Sequence, residues 1–144
     1  MGAARMLALA TWALYVLAAA FFYHPEYPPS VWVIGGCGIL ACLAVGSNFA
    51  YWRVVVILAS CVYLLFYAVR VVRMVALTSG FEISSLPSAL SFYYGSSWRV
   101  TVGMLQEKGV AGSLMHGYIE YAMPLLSLVL IALAMLSRPL KPTL

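Results

Sequence analysis

The sequence contains no aspartate and only four acidic side chains, all of them glutamate. Charged residues make up 8% of the 144 residues, whereas hydrophobic residues make up 65%. A soluble domain carries about 25% charged residues, so this chain lacks the polar groups that would cover a water-exposed surface. The composition therefore predicts a single integral membrane domain over residues 1–144, with the lipid bilayer as its main surroundings.

The chain also lacks the sequence motifs of the common enzyme classes. It has no glycine-rich phosphate-binding loop, no nucleophile elbow and no paired-histidine zinc motif, and the missing aspartate removes the usual magnesium ligands. Its net charge of +4 is spread over termini and loops, without the run of Lys and Arg that is typical of nucleic-acid binding. We therefore predict no catalytic residue, no cofactor and no nucleic-acid partner, and the sequence favours a non-enzymatic function.

Four apolar runs approach the roughly 20 residues that a helix needs to cross a hydrocarbon core of about 30 Å. They predict an all-α, polytopic membrane protein with four transmembrane helices in a bundle. The expected helices cover approximately residues 6–23, 31–49, 52–76 and 114–136.

An even number of spans places both termini on one side of the membrane. The two faces then carry equal numbers of basic residues, but Arg5 precedes the first span and the first loop has no Lys or Arg. The positive-inside rule gives weight to such residues close to the first span. We therefore expect both termini in the cytoplasm, in a plasma membrane or bacterial inner membrane.

The long connection between the third and fourth spans has its own pattern over approximately residues 86–108. Pro87 begins a short helical stretch that we expect Gly95 to end, and Trp98, Val102 and Leu105 then follow at helical spacing. The alternation of apolar residues there also fits a strand, but a single strand would have no partner. We predict an amphipathic helix that lies in the membrane interface.

Small residues on the second span predict a helix contact. Gly38, Cys42 and Gly46 are spaced by four and would form one stripe, along which a neighbouring backbone can approach closely. The neighbour expected from the sequence is the first helix, the third helix or a second copy of the chain.

The remaining ionisable residues gather at one end of the predicted bundle, and they are the candidate ligand or ion-pair residues. His116 and Glu120 are four apart and share one side of a helix, and Pro124 removes the regular helical partner of the Glu120 carbonyl. Arg70 or Arg73 is the expected counter-charge of Glu120, because an unpaired charge in a span is costly. The full set is His24, Glu26, Arg70, Arg73, His116 and Glu120.

Three interpretations of this set remain open: anchoring of helix ends among lipid headgroups, a structural ion-pair cluster, or a site for a small ligand, proton, quinone or metal. His-x-x-x-Glu supplies only two metal ligands, fewer than a zinc site requires, so we predict no metal. The leading functional hypothesis is an accessory or interaction component of a larger membrane assembly, with other membrane subunits or a second copy as partner. The alternatives are a small oligomeric, proton-coupled transporter and a membrane enzyme that acts on a lipid or quinone at the His116/Glu120 face.

Overall fold

A computed structural model describes residues 2–22, 29–47, 49–79, 84 and 86–136 of the chain. Within these residues the protein is built from helices and contains no strand, which confirms the all-helical class. Six α-helices follow one another, and a π-helical turn at Tyr118–Ala122 joins the last two. The α-helices are α1 Ala3–Phe21, α2 Pro29–Gly46, α3 Trp52–Ser79, α4 Leu86–Glu107, α5 Gly109–Gly117 and α6 Met123–Leu136.

In the described part of the chain, three stretches of helix are long and apolar enough to cross a membrane. They are Ala3–Phe21, Trp52–Leu77 and the continuous stretch Gly109–Leu136, which combines α5, the π turn and α6. The second predicted span gives a shorter apolar helix, Val31–Gly46 within α2. Length and hydropathy thus single out three of the four predicted spans.

The connection between α3 and the last span is helical, but its helices begin and end at other residues than predicted. Gly95 does not end a helix, because α4 runs through it without interruption. The break falls at Gly109, whose φ of +78° belongs to the left-handed region that favours glycine. This residue ends the continuation of α4 and begins α5, so the last span starts five residues earlier than the predicted residue 114.

The core lies where α1, α2, α3 and α6 meet, and aromatic side chains fill much of it. Trp12 and Tyr15 of α1 contact each other edge to face, with ring centroids 5.6 Å apart. Trp52 of α3 is also buried, and Met123 and Leu130 of α6 complete the packing from the other side. The bundle is thus held by large interdigitating side chains together with close helix approach.

The close approach occurs at Gly38, where α2 meets α1. A Cβ atom at this position would lie 3.0 Å from both the Trp12 ring and a Val16 methyl group. Cys42 is partly buried and packs against the core. Gly46 is exposed and has no neighbour within 4 Å of a Cβ position, so it takes no part in helix packing among the described residues.

The buried side of α2 therefore differs from the predicted stripe of small residues. The buried face is rotated away from Gly46. Its residues follow one another at helical spacing and are all buried: Ile34, Gly38, Ala41, Ala44 and Val45. The physical reason is that α2 packs mostly through aliphatic side chains, and only Gly38 must be small to admit the indole of α1.

Candidate functional site

The π-helical turn lies immediately before Pro124 and is the most irregular backbone of the last span. The Met123 N–H donates to the carbonyl of Tyr118, five residues earlier. In this register the residue five positions before Pro124 is Ile119, and proline has no N–H to offer it. Pro124 therefore leaves the Ile119 carbonyl without the backbone donor that the π register would give it.

A side chain from α3 satisfies the freed carbonyl. The Tyr63 hydroxyl donates a hydrogen bond of 2.5 Å to the carbonyl oxygen of Ile119. Tyr63 is buried, so no water is needed to complete this bond. Single π turns inside α-helices are frequent at functional sites, which directs attention to the residues around this one.

A second tyrosine ties the same turn to α1. The Tyr118 hydroxyl donates to the Thr11 carbonyl over 2.6 Å. The π turn is thus hydrogen-bonded to α3 on one side and to α1 on the other, and its backbone is fixed between two spans.

Glu120 lies in the π turn and pairs with Arg70 of α3. The distance from Arg70 Nη2 to Glu120 Oε2 is 3.2 Å. The Glu120 side chain is only 14% exposed, whereas that of Arg70 is 45% exposed. The carboxylate is therefore the enclosed member of the pair, and the guanidinium connects it to the surroundings.

Tyrosines surround the guanidinium of Arg70. Its central carbon lies 5.3 Å from the centroid of the Tyr67 ring, which is a cation–π distance. The guanidinium also hydrogen-bonds the Tyr93 side chain of α4. Burial raises the pKa of the Tyr93 phenol above its ordinary value, and the nearby positive charge of Arg70 opposes the shift only in part. The phenol therefore stays neutral at physiological pH and accepts a hydrogen bond from the guanidinium.

The tyrosines form a connected series from the core to this cluster. The ring centroids of Tyr15 and Tyr63 are 5.6 Å apart, and those of Tyr63 and Tyr67 are 6.3 Å apart. The Tyr67 hydroxyl is 3.0 Å from the Tyr94 hydroxyl of α4. We refer below to Arg70, Glu120 and the tyrosines 63, 67, 93 and 94 as the polar cluster.

The polar cluster lies near one end of the apolar bundle. At a rise of 1.5 Å per residue, Arg70 is about 26 Å along α3 from Arg53, and Glu120 is about 24 Å from Leu136. Both separations approach the thickness of a hydrocarbon core of about 30 Å. The ion pair thus belongs to the end of the bundle opposite Arg53 and Leu136.

His116 does not join the ion pair. Its Nδ1 lies 2.7 Å from the Thr101 hydroxyl of α4, and its ring meets that of Phe22 edge to face at 6.3 Å. The Ser113 hydroxyl donates to the Thr101 carbonyl over 2.9 Å. His116 and Ser113 thus attach α5 to α4, while Glu120 attaches the π turn to α3.

Arg73, the other predicted arginine of α3, takes part in none of the contacts described above. Arg73 is exposed. His24 and Glu26 lie outside the described residues. No group of three or more His, Cys, Asp or Glu side chains with metal-binding geometry occurs in the part of the chain that the structure describes.

Sequence reasoning missed the tyrosines and Thr101. One signal was available: Tyr63, Tyr67 and Arg70 are at i, i+4 and i+7, so they share one side of α3. Thr101 gave no comparable signal, because its importance depends on how α4 packs against α5.

Comparison with protein-family models, with curated proteins and with solved structures finds no match for this chain.

Proposed function

We propose that this chain is an integral membrane protein with four membrane-spanning helices that serves as an accessory or interaction component of a larger membrane assembly. Three helices with the length and hydropathy of membrane spans support the membrane assignment. In this proposal α2 is the fourth span, and α4 lies in the interface. Four spans place both termini on the same side of the membrane, and Arg5 beside the first span favours the cytoplasm.

The observation that carries the proposal is the use of the ionisable side chains as connections between helices. Arg70 joins Glu120, and His116 joins Thr101. A catalytic pair would instead present an acid and a base together beside a substrate cavity. A cavity on α4 is lined by neither His116 nor Glu120 among the described residues, so that cavity offers no support to an enzyme at their face.

The second half of α4 supplies a surface for a partner. Trp98, Val102 and Leu105 lie at helical spacing, and each is between 45% and 59% exposed. Aromatic and aliphatic side chains of this kind are favoured at the centres of protein interfaces. In the proposed orientation, this row lies at the membrane surface, where another subunit or a second copy can reach it.

Purification in mild detergent tests this proposal. We expect the particle to exceed the mass of one 15.7 kDa chain with its bound detergent. The double variant Val102→Ala/Leu105→Ala should reduce it to a single chain. The matched control Leu128→Ala/Val129→Ala changes two exposed residues of α6 and should leave the particle intact. A wild-type monomer that co-purifies with nothing would contradict the proposal.

The second candidate is a small, oligomeric, proton-coupled transporter centred on Glu120. It is favoured by the enclosure of this carboxylate within a π turn and beside Arg70, because ionisable groups inside spans mark proton and ion pathways. Glu120→Gln separates the two functions. A carrier would assemble normally and lose proton-coupled transport in proteoliposomes, whereas an accessory protein would lose assembly or change little.

A further inference from the structure

One face of α4, between Pro87 and Arg99, carries a shallow, open cavity that none of the contacts described above uses. It is an open surface depression, and all of its described lining residues belong to α4. Three serines contribute hydroxyl groups to its lining: Ser88, Ser91 and Ser96. Phe92 adds an apolar wall and Arg99 adds a positive charge.

The cavity faces away from the bundle. Ala89 and Thr101 mark the buried side of α4, while Ser91, Phe92 and Arg99 are exposed. The polar cluster and the cavity therefore lie on different sides of the same helix. A molecule in the cavity would reach α4 without disturbing Arg70 or Glu120.

The chemistry of the lining is that of an anion site with an apolar neighbour. An arginine guanidinium binds phosphate oxygens through paired N–H donors, and serine hydroxyls add further donors to the same oxygens. Neither of the described acidic side chains, Glu107 and Glu120, lines the cavity, so no carboxylate there competes for Arg99. Phe92 is 59% exposed and can contact hydrocarbon beside the anion.

On the interfacial placement of α4 proposed above, we propose that the α4 cavity binds the phosphate headgroup of an anionic phospholipid, with Arg99 and the Ser96 hydroxyl one turn away holding the phosphate and Phe92 contacting the start of an acyl chain. The choice of a lipid follows from the juxtaposition of donors and an exposed aromatic ring on an interfacial helix. A basic residue at a membrane surface attracts anionic headgroups by about 1 kcal/mol. The lipid would attach α4 to the membrane surface and so hold the neighbouring partner surface in place.

Lipid retention by the purified full-length chain tests the proposal. In a non-ionic detergent, native mass spectrometry follows the binding of short-chain phosphatidylglycerol and of phosphatidylcholine with matched acyl chains. We expect one phosphatidylglycerol per chain and a preference over phosphatidylcholine of about fivefold, as one basic residue supplies. Arg99→Gln should abolish the preference, and Ser91→Leu, which fills the cavity, should weaken the binding of both lipids.

The control Lys108→Gln removes an exposed positive charge at the end of α4, outside the cavity lining. This variant should retain the wild-type preference, and circular dichroism should show unchanged helix content in all three variants. Equal losses in Arg99→Gln and Lys108→Gln would overturn the proposal in favour of a diffuse charge effect. Displacement of the lipid by millimolar inorganic phosphate would also overturn it, because free phosphate would then be the ligand. If Ser91→Leu fails to fold, Arg99→Gln and its control still decide the outcome.

Discussion

Replacement of Tyr63 by phenylalanine should destabilise the bundle because it removes the donor to the Ile119 carbonyl. The ring and its contacts with Tyr15 and Tyr67 are retained, so the hydroxyl is the only group lost. A buried carbonyl left without a donor costs about 1–3 kcal/mol. Hydrogen bonds between membrane helices contribute less on average, about 0.6 kcal/mol with a maximum near 1.7 kcal/mol.

The upper part of that membrane range applies at this position. The usual reason for a small effect is that a freed group finds another partner, but Pro124 deprives the Ile119 carbonyl of its nearest backbone alternative. We therefore expect Tyr63→Phe to lower the free energy of unfolding by about 1–1.7 kcal/mol. Equilibrium unfolding in mixed detergent micelles, followed by circular dichroism, measures this loss.

A second substitution tests the cause. Pro124→Ala restores a backbone N–H, and the Ile119 carbonyl then gains a backbone donor in either helical register, from Met123 or from Ala at position 124. In this background Tyr63→Phe should cost less than about 0.5 kcal/mol, which gives a coupling energy of about 1 kcal/mol in the double-mutant cycle.

The control is Tyr67→Phe, whose hydroxyl is bonded to the Tyr94 hydroxyl in an exposed setting; it should cost less than about 0.5 kcal/mol. An unchanged stability of Tyr63→Phe, or an equal loss with and without Pro124, would refute the reasoning.

Three further predictions follow from the packing and the ion pair. Gly38→Ala should lower the free energy of unfolding by about 1–3 kcal/mol, because its Cβ would meet side chains of α1 at 3.0 Å. In the same micelle assay, Gly46→Ala should change the free energy of unfolding by less than about 0.5 kcal/mol. Arg70→Gln should destabilise the bundle, because it leaves the enclosed carboxylate of Glu120 without its cation, and the added change Glu120→Gln should recover part of the loss; equal stabilities of the single and double variants would count against this pairing. Thr101→Val removes the hydroxyl that meets the α5 histidine and should increase hydrogen exchange in α4 and α5 while that of α1 and α2 stays unchanged.

The helices and the ion pair could be predicted from the sequence for simple reasons. Long apolar runs leave little choice but a helix, because lipid offers no partner for backbone polar groups. Arg70 and Glu120 each need a counter-charge in the same apolar surroundings, so few pairings are available to them. The structure brings these two residues together.

The hydrogen-bond register was not accessible in the same way. Sequence reasoning recognises that Pro124 frees a carbonyl, but the identity of the carbonyl depends on whether the preceding turn is α or π. That choice depends on what neighbouring helices offer, and Tyr63 approaches Ile119 only after α3 and α6 have packed. The same holds for Gly46, whose spacing matched Gly38 although only Gly38 lies opposite a tryptophan ring.

Two residues one helical turn apart in sequence, His116 and Glu120, have different partners. In a regular α-helix His116 and Glu120 would share a side, and a single site could use both. In this structure α3 and α4 both pack against that side of the last span, so that Glu120 meets Arg70 of α3 while His116 meets Thr101 of α4. Each of the two side chains then holds a different pair of helices together. A substitution at Glu120 should therefore affect the docking of α3 independently of the contact between α4 and α5, which is the behaviour of a scaffold rather than of a shared acid–base site.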